Sequence, residues 1–120
     1  IEAFRAMHLE GCFLLPNPWD AGTARYLEAQ GFRAIATTSA GAAYARAKPD
    51  NAMTLDETLA HVAEIAAATK LPVNVDFGNG FGADADGVGA AVARCLAPGV
   101  AAISVEDATG DATRPLFGIE

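Results

Sequence analysis

Apolar residues come in short runs and one-sided stripes that alternate along the chain. Cys12, Phe13, Leu14 and Leu15 form an unbroken run closed by Pro16, which predicts a buried strand over residues 12–15. Asp20 can cap the helix that follows, and Gly31 can end it, because glycine takes the left-handed conformation found just past a helix C-terminus. Ala21, Ala24 and Leu27 give that helix its apolar side. A second strand is predicted over residues 33–37. A loop through Thr38, Ser39, Ala40 and Gly41 comes next, then a short helical or irregular stretch to Lys48, Pro49 and Asp50. Thr54 and Glu57 have the spacing of a capping box. Leu55, Leu59, Val62 and Ala66 form the apolar stripe of the helix behind it, a register that leaves His61 facing solvent. Residues 72–76 read as a third strand, with Val73 and Val75 alternating with Pro72, Asn74 and Asp76. After a glycine-rich loop, a helix over residues 85–96 buries Val88, Val92, Cys95 and Leu96, and Asp84 and Asp86 complement its N-terminal dipole. A fourth strand over residues 100–105 ends at Glu106 and Asp107.

Strands that alternate with helices imply a parallel sheet joined by right-handed crossovers. Two architectures satisfy the pattern, an open doubly wound sheet and part of a barrel. Sequential strand order marks the barrel, whereas a first strand lying between the second and third marks the open sheet. In both, the carboxyl ends of the strands share one rim where ligands bind. That rim would carry Asn17, Trp19, Asp20, Thr38, Ser39, Asp76, Glu106 and Asp107.

Composition narrows the chemistry. With 120 residues, 52% of them apolar, the chain suits one domain with a real core. A net charge of −7 and scattered basic residues, with Arg25, Arg33 and Arg46 read as surface pairing, exclude a nucleic-acid surface. No apolar run reaches the ~18 residues of a membrane span, and no signal peptide is visible, so a cytoplasmic protein is expected. Cys12 and Cys95 are far apart and read as small core hydrophobes, and the absence of Cys/His clusters argues against zinc.

Asp76 and Glu106 close consecutive strands, which puts both carboxylates at the same edge of the sheet. Oxygen donors on strand ends suit a hard cation such as Mg2+, with Mn2+ as its substitute, whose shell is completed by water and substrate oxygens. The plainer alternative is that each carboxylate caps the next helix or pairs with a loop arginine. Gly78, Gly80 and Gly82 fit neither a dinucleotide fingerprint nor a phosphate loop, because the further glycine and the Gly-Lys-Ser/Thr element are missing.

Four segments together resemble a known family. Leu15-Pro16-Asn17-Pro18-Trp19-Asp20-Ala21-Gly22-Thr23-Ala24-Arg25, Gly31-Phe32-Arg33-Ala34-Ile35 with Thr37-Thr38-Ser39, residues 72–82, and Val105-Glu106-Asp107 resemble the isocitrate lyase/phosphoenolpyruvate mutase family in order and spacing over residues 5–113. The resemblance implies an α/β fold, a (β/α)8 TIM barrel of which residues 1–120 represent the N-terminal half as about four βα units. It implies a carboxyphosphonoenolpyruvate phosphonomutase-like lyase or mutase that acts on a small α-keto or α-oxy carboxylic acid through a metal-stabilised enolate. By position, Thr38, Ser39, Ala40 and Trp19 would bind substrate, Asp76 and Glu106 would hold Mg2+, and Asp50, Asp76 and Glu106 would be the catalytic carboxylates. A homo-oligomer is also implied.

Two departures qualify the match. Gly78 stands where the family's metal segment has its second carboxylate, and the Lys-Lys/Arg-Cys-Gly motif of the family's lyases is absent, which disfavours isocitrate and methylisocitrate cleavage. A phosphonate mutase or hydrolase, or an oxaloacetate-type hydrolase or decarboxylase, is then expected. The competing reading is a non-catalytic carboxylate-binding pseudoenzyme of the same fold. Four strands do not close an eight-stranded barrel, so the exposed sheet is expected to be covered by further chain or by a second copy.

Overall fold

The structure is a computed structural model that describes residues 1–118. Three parallel strands, β1 (Ile35–Ala36), β2 (Val73–Asp76) and β3 (Ala102–Ser104), form a sheet in sequential order. Helices α1 (Glu2–Ala6) and α2 (Ala21–Ala29) precede β1, α3 (Ser39–Tyr44) and α4 (Leu55–Ala68) lie between β1 and β2, and α5 (Ala85–Leu96) links β2 to β3. An antiparallel hairpin, β4 (Ala108–Asp111) and β5 (Arg114–Leu116), follows.

Alternation along β2 decides how the layers stack. Val73 and Val75 are buried, and together with Ile35, Val100 and Phe77 they meet Ala24 of α2, Val62 and Ile65 of α4, and Ala91 and Cys95 of α5 in one apolar core. Each fully buried Val, Ile or Phe contributes about 1.5–3 kcal/mol relative to an exposed one. Asn74 and Asp76 project from the opposite face. Asn74 Nδ2 donates to Ser104 Oγ at 3.0 Å across β2 and β3. One face of the sheet therefore packs on helices and the other is polar. Right-handed crossovers in sequential order produce this one-sided arrangement, and it belongs to a barrel wall rather than to a doubly wound sheet.

The expected strand over residues 12–15 does not form. Cys12 is exposed and Leu14 is 74% exposed. A single rung survives, in which Ala36 N–H donates to the Pro16 carbonyl at 3.0 Å. Pro16 and Pro18 have no N–H to return, so a ladder cannot develop there. Cys12 is thus no core residue, while Cys95 is buried as expected, and burial raises its thiol pKa. Leu96, expected inside, is 48% exposed at the end of α5.

Capping follows the sequence closely. Asp20 accepts from Thr23 N–H at 2.7 Å, and Asp84 accepts from Gly87 N–H at 2.8 Å. Thr54 and Glu57 close a reciprocal box: Thr54 N–H donates to Glu57 Oε2 at 2.9 Å, and Glu57 Oε1 pairs with Lys48. The Lys48 ammonium and the Thr54 donors hold the Glu57 pKa down to about 2. A depressed carboxylate pKa contributes stability that is present above the ordinary value of 4.5 and is lost as pH falls through about 2. Glu57→Gln should therefore lower the urea midpoint at pH 7, and that deficit should shrink progressively from about pH 4.5 to pH 2. A deficit that stayed constant across this range would show that the box does not act through charge.

Candidate functional site

Chain register brings the strand ends together. Asp76 lies opposite Ser104 across β2 and β3. The parallel ladder then runs on past the strands, with Phe77 N–H donating to Ser104 O at 3.0 Å and Glu106 N–H to Gly78 O at 2.8 Å. Those two bonds place Glu106 beside the loop that starts at Asp76. On the other flank, Asp76 N–H donates to Thr37 Oγ1 at 2.9 Å, which ties it to the end of β1. Thr37 is buried.

Asp76 also grips the first turn of α3. Its Oδ2 accepts from both the backbone N–H and the hydroxyl of Ser39, each at 2.8 Å, and its Oδ1 accepts from Gly78 N–H at 3.3 Å. Thr38 caps the same helix through Gly41 N–H at 3.1 Å. An ionised carboxylate offers about four acceptor positions, so three bonds leave capacity on Oδ1.

These groups border a cavity of about 530 Å³. The strand ends and the loops after them contribute Thr37, Thr38, Ser39, Asp76, Gly78 and Glu106. Helices α3 and α4 and the turn between them contribute Ala42, Asn51, Met53, Thr58, His61 and Val62, and the hairpin closes one side with Ala108, Thr109 and Gly110. Of the residues singled out from sequence, Thr38, Ser39, Asp76 and Glu106 meet here. Trp19, Ala40 and Asp50 do not border the cavity. Trp19 is 48% exposed. Asp50 accepts from Asn51 N–H at 2.8 Å in a surface turn.

His61 contradicts its expected place in solvent. It is only 3% exposed, and neither ring nitrogen has a hydrogen-bond partner. The buried stripe of α4 is Thr58, His61, Val62 and Ile65, which is rotated from the Leu55, Leu59, Val62, Ala66 stripe that hydropathy suggests. Thr37 and Asn51 were likewise absent from the sequence-based rim. The period of α4 and the parallel register were the signals that could have found His61 and Thr37.

Among the described residues no group of three or more His, Cys, Asp or Glu side chains is assembled. Asp76 and Glu106 both border the cavity, and a pair of carboxylates suits a hard cation such as Mg2+ or Mn2+, which keeps several waters and recruits substrate oxygens.

Comparison with known proteins identifies the lineage. The phosphoenolpyruvate phosphomutase family model matches residues 4–120. The chain belongs to this family. Its fold matches a provisionally assigned lyase/mutase from Burkholderia cenocepacia J2315 with a TM-score of 0.94 and 48% identity, over 98% of this chain and 43% of that one. It also matches a phosphonopyruvate hydrolase in complex with oxalate and Mg2+, with a TM-score of 0.90 and 28% identity over 98% of this chain and 42% of that one. Among curated proteins, an uncharacterized protein of Mycobacterium tuberculosis (strain ATCC 25618 / H37Rv), Rv1998c, is 31% identical over 91% of this chain and 42% of its own length. The chain thus spans less than half the length of these relatives, and its three-stranded wall is part of a TIM barrel of the phosphoenolpyruvate mutase/isocitrate lyase superfamily. Among the described residues, no helix is long and apolar enough to cross a membrane.

Proposed function

We propose that this chain carries the metal- and carboxylate-binding side of a Mg2+-dependent lyase or mutase acting on a small α-keto or α-oxy carboxylic acid. The observation that supports it is the meeting of Asp76, Ser39 and Glu106 on one cavity at the carboxyl ends of β1, β2 and β3. The relative that binds oxalate and Mg2+ agrees with this reading, since oxalate mimics an enolate carboxylate. Asp76 and Glu106 would hold the cation, directly or through water, and Mg2+ there supplies positive charge against the oxygen on which negative charge collects as a C–C or P–C bond breaks.

The protein's own groups then divide the remaining work. Asp76 orients Ser39 through two hydrogen bonds. Thr38 holds Gly41 N–H as the helix cap. Ala40 N–H is the remaining donor of this first turn, but Ala40 lies outside the cavity, so its donation to the substrate carboxylate would require the start of α3 to shift toward the substrate. Asp50 and Trp19 sit outside the cavity, so their part in catalysis requires the loop carrying Asn51 and the junction before α2 to close over substrate. The same reading expects a cytoplasmic homo-oligomer.

Gly78 favours a second reading, a carboxylate-binding protein without chemistry, because a family carboxylate is missing there. Isothermal calorimetry on the full-length protein separates the two steps. Oxalate should bind only with Mg2+ present, and binding that is unchanged by EDTA would overturn the metal assignment. A side chain at Gly78 meets nothing within 4 Å, and its φ of +52° is a conformation that aspartate tolerates better than most residues. Gly78→Asp should therefore fold and tighten Mg2+ about tenfold or more, the gain expected when a carboxylate accepts one hydrogen bond from a metal-bound water, about 1.5–3 kcal/mol. Unchanged affinity would mean that the ion sits elsewhere.

A further inference from the structure

Threonine caps two helices, and the two caps are built differently. Thr54 accepts from Glu57 N–H at 3.3 Å, and Thr38 accepts from Gly41 N–H at 3.1 Å. Glu57 carries a full side chain in α4, so a Cβ at this helix position is ordinarily accommodated beneath a threonine cap. At Gly41 it is not. A Cβ there would lie 2.6 Å from Thr38 Cγ2, 3.3 Å from Thr38 Oγ1 and 3.3 Å from Trp19 Cβ. The entry to the helix differs in the same way: Thr38 has φ −135° and ψ 114°, against −74° and 163° at Thr54. The Thr38 methyl thus sits in the space that a side chain at residue 41 would fill, and Trp19 crowds that space as well. Helix formation does not account for the glycine, since alanine is intrinsically the better residue inside α3.

Thr38 is half-buried in the cavity wall that also holds Ser39 and Asp76. Its oxygen accepts the cap bond, and its O–H proton donates to no group among the described residues. We propose that Gly41 is a positioning residue for Thr38. The gap left by its missing side chain takes the Thr38 methyl, which fixes the rotamer in which the hydroxyl caps α3 through a lone pair and keeps its proton for the substrate carboxylate. The proposal rests on the function proposed above. A hydroxyl has one proton and two acceptor lone pairs, so the two bonds do not compete. Threonine is stiff about χ1, so displacing the methyl carries the hydroxyl with it. Gly41 does not border the cavity and reaches substrate only through Thr38. Trp19, also outside the cavity, backs the same gap and leaves an added methyl no room on that side.

The test is a double-mutant cycle on Mg2+-dependent oxalate affinity, measured by calorimetry on the full-length protein as wild type, Gly41→Ala, Thr38→Ser and Thr38→Ser/Gly41→Ala. Serine keeps the capping oxygen and its proton but lacks Cγ2. Gly41→Ala should weaken oxalate about tenfold or more, the loss of one hydrogen bond to a carboxylate. In the Thr38→Ser background the same alanine should change affinity by less than about threefold, because the methyl it would displace is gone. A merely structural glycine would give equal losses in both backgrounds, or a lower Tm with oxalate affinity intact, and either result overturns the inference. Should Gly41→Ala not fold, the double variant should fold and bind oxalate as Thr38→Ser does, and a double variant that also fails to fold counts against the inference just as decisively. Wild-type binding of oxalate with no coupling in the cycle strikes this inference alone. Failure of wild type to bind oxalate with Mg2+ strikes the proposed function and this inference together.

Discussion

Asp76→Ala in the full-length enzyme should lower kcat and kcat/KM together by about 10²–10³-fold, the usual loss for one electrostatic contact made in the transition state. The assay is Mg2+-dependent turnover of oxaloacetate and of phosphonopyruvate. The structure adds a complication that the strand-end position alone does not reveal. Asp76 accepts two bonds from Ser39, so alanine also releases the first turn of α3. Charge and scaffold can be told apart with Asp76→Asn. The amide oxygen can still accept from Ser39 N–H and hydroxyl, but the side chain is a poor ligand for a hard cation. Asparagine should reproduce most of the rate loss with little change in Tm, while alanine should lower both. Wild-type activity that survives Asp76→Ala and EDTA undiminished would falsify the metal-enolate mechanism for this protein.

What could be read from sequence follows a physical division. Local signals were legible: the caps at Asp20 and Thr54 depend on residues three apart, and both form, while Asp84, read only as a charge complementing the helix dipole, turns out to cap α5. The alternation of Val73 and Val75 with Asn74 and Asp76 identified both faces of β2. The barrel wall also followed, because alternating elements leave few topologies and the family resemblance selected one of them. Pairing across space was less legible. The run over residues 12–15 is apolar enough for a strand, yet a strand needs ladder partners, and Pro16 and Pro18 remove donors. His61 was misplaced because α4 has apolar residues on more than one side, so two stripes competed and packing against β2 chose between them. Asp76 and Glu106 were found as strand ends, but the Ser39 contact that organises Asp76 spans 37 residues and depends on the register of β1 against β2. Asp50 entered only through resemblance, Trp19 also through its place on the predicted rim, and neither borders the cavity.

Gly82→Ala should be the most damaging single-methyl substitution in the glycine-rich loop. A Cβ at Gly82 would lie 2.2 Å from Val88 N and 2.6 Å from Gly87 C, both backbone atoms in the first turn of α5. Side chains can rotate away from a clash, but these atoms are held by the helix itself. Val88 N–H donates to Asp84 O at 3.0 Å, and Gly87 N–H donates to the Asp84 cap. Relief therefore requires the loop and α5 to separate. That would pull Ala91 and Cys95 out of the core and displace the loop that brings Gly78 to the cavity. Overpacking a core ordinarily costs about 1–3 kcal/mol, and a clash with fixed backbone should reach or exceed the top of that range. With total stabilities of about 5–15 kcal/mol, a loss of that size lowers Tm by many degrees and, in a marginal protein, prevents folding. Gly89 on the same helix is the control. A Cβ there meets nothing within 4 Å, so Gly89→Ala should stabilise by about 0.4–1 kcal/mol through helix propensity and a less flexible unfolded chain. Urea titration of the two variants gives the comparison. Opposite shifts, large and destabilising for Gly82 and small and stabilising for Gly89, are the expected result. A Gly82→Ala protein with wild-type stability would mean that the loop does not press against α5 as described.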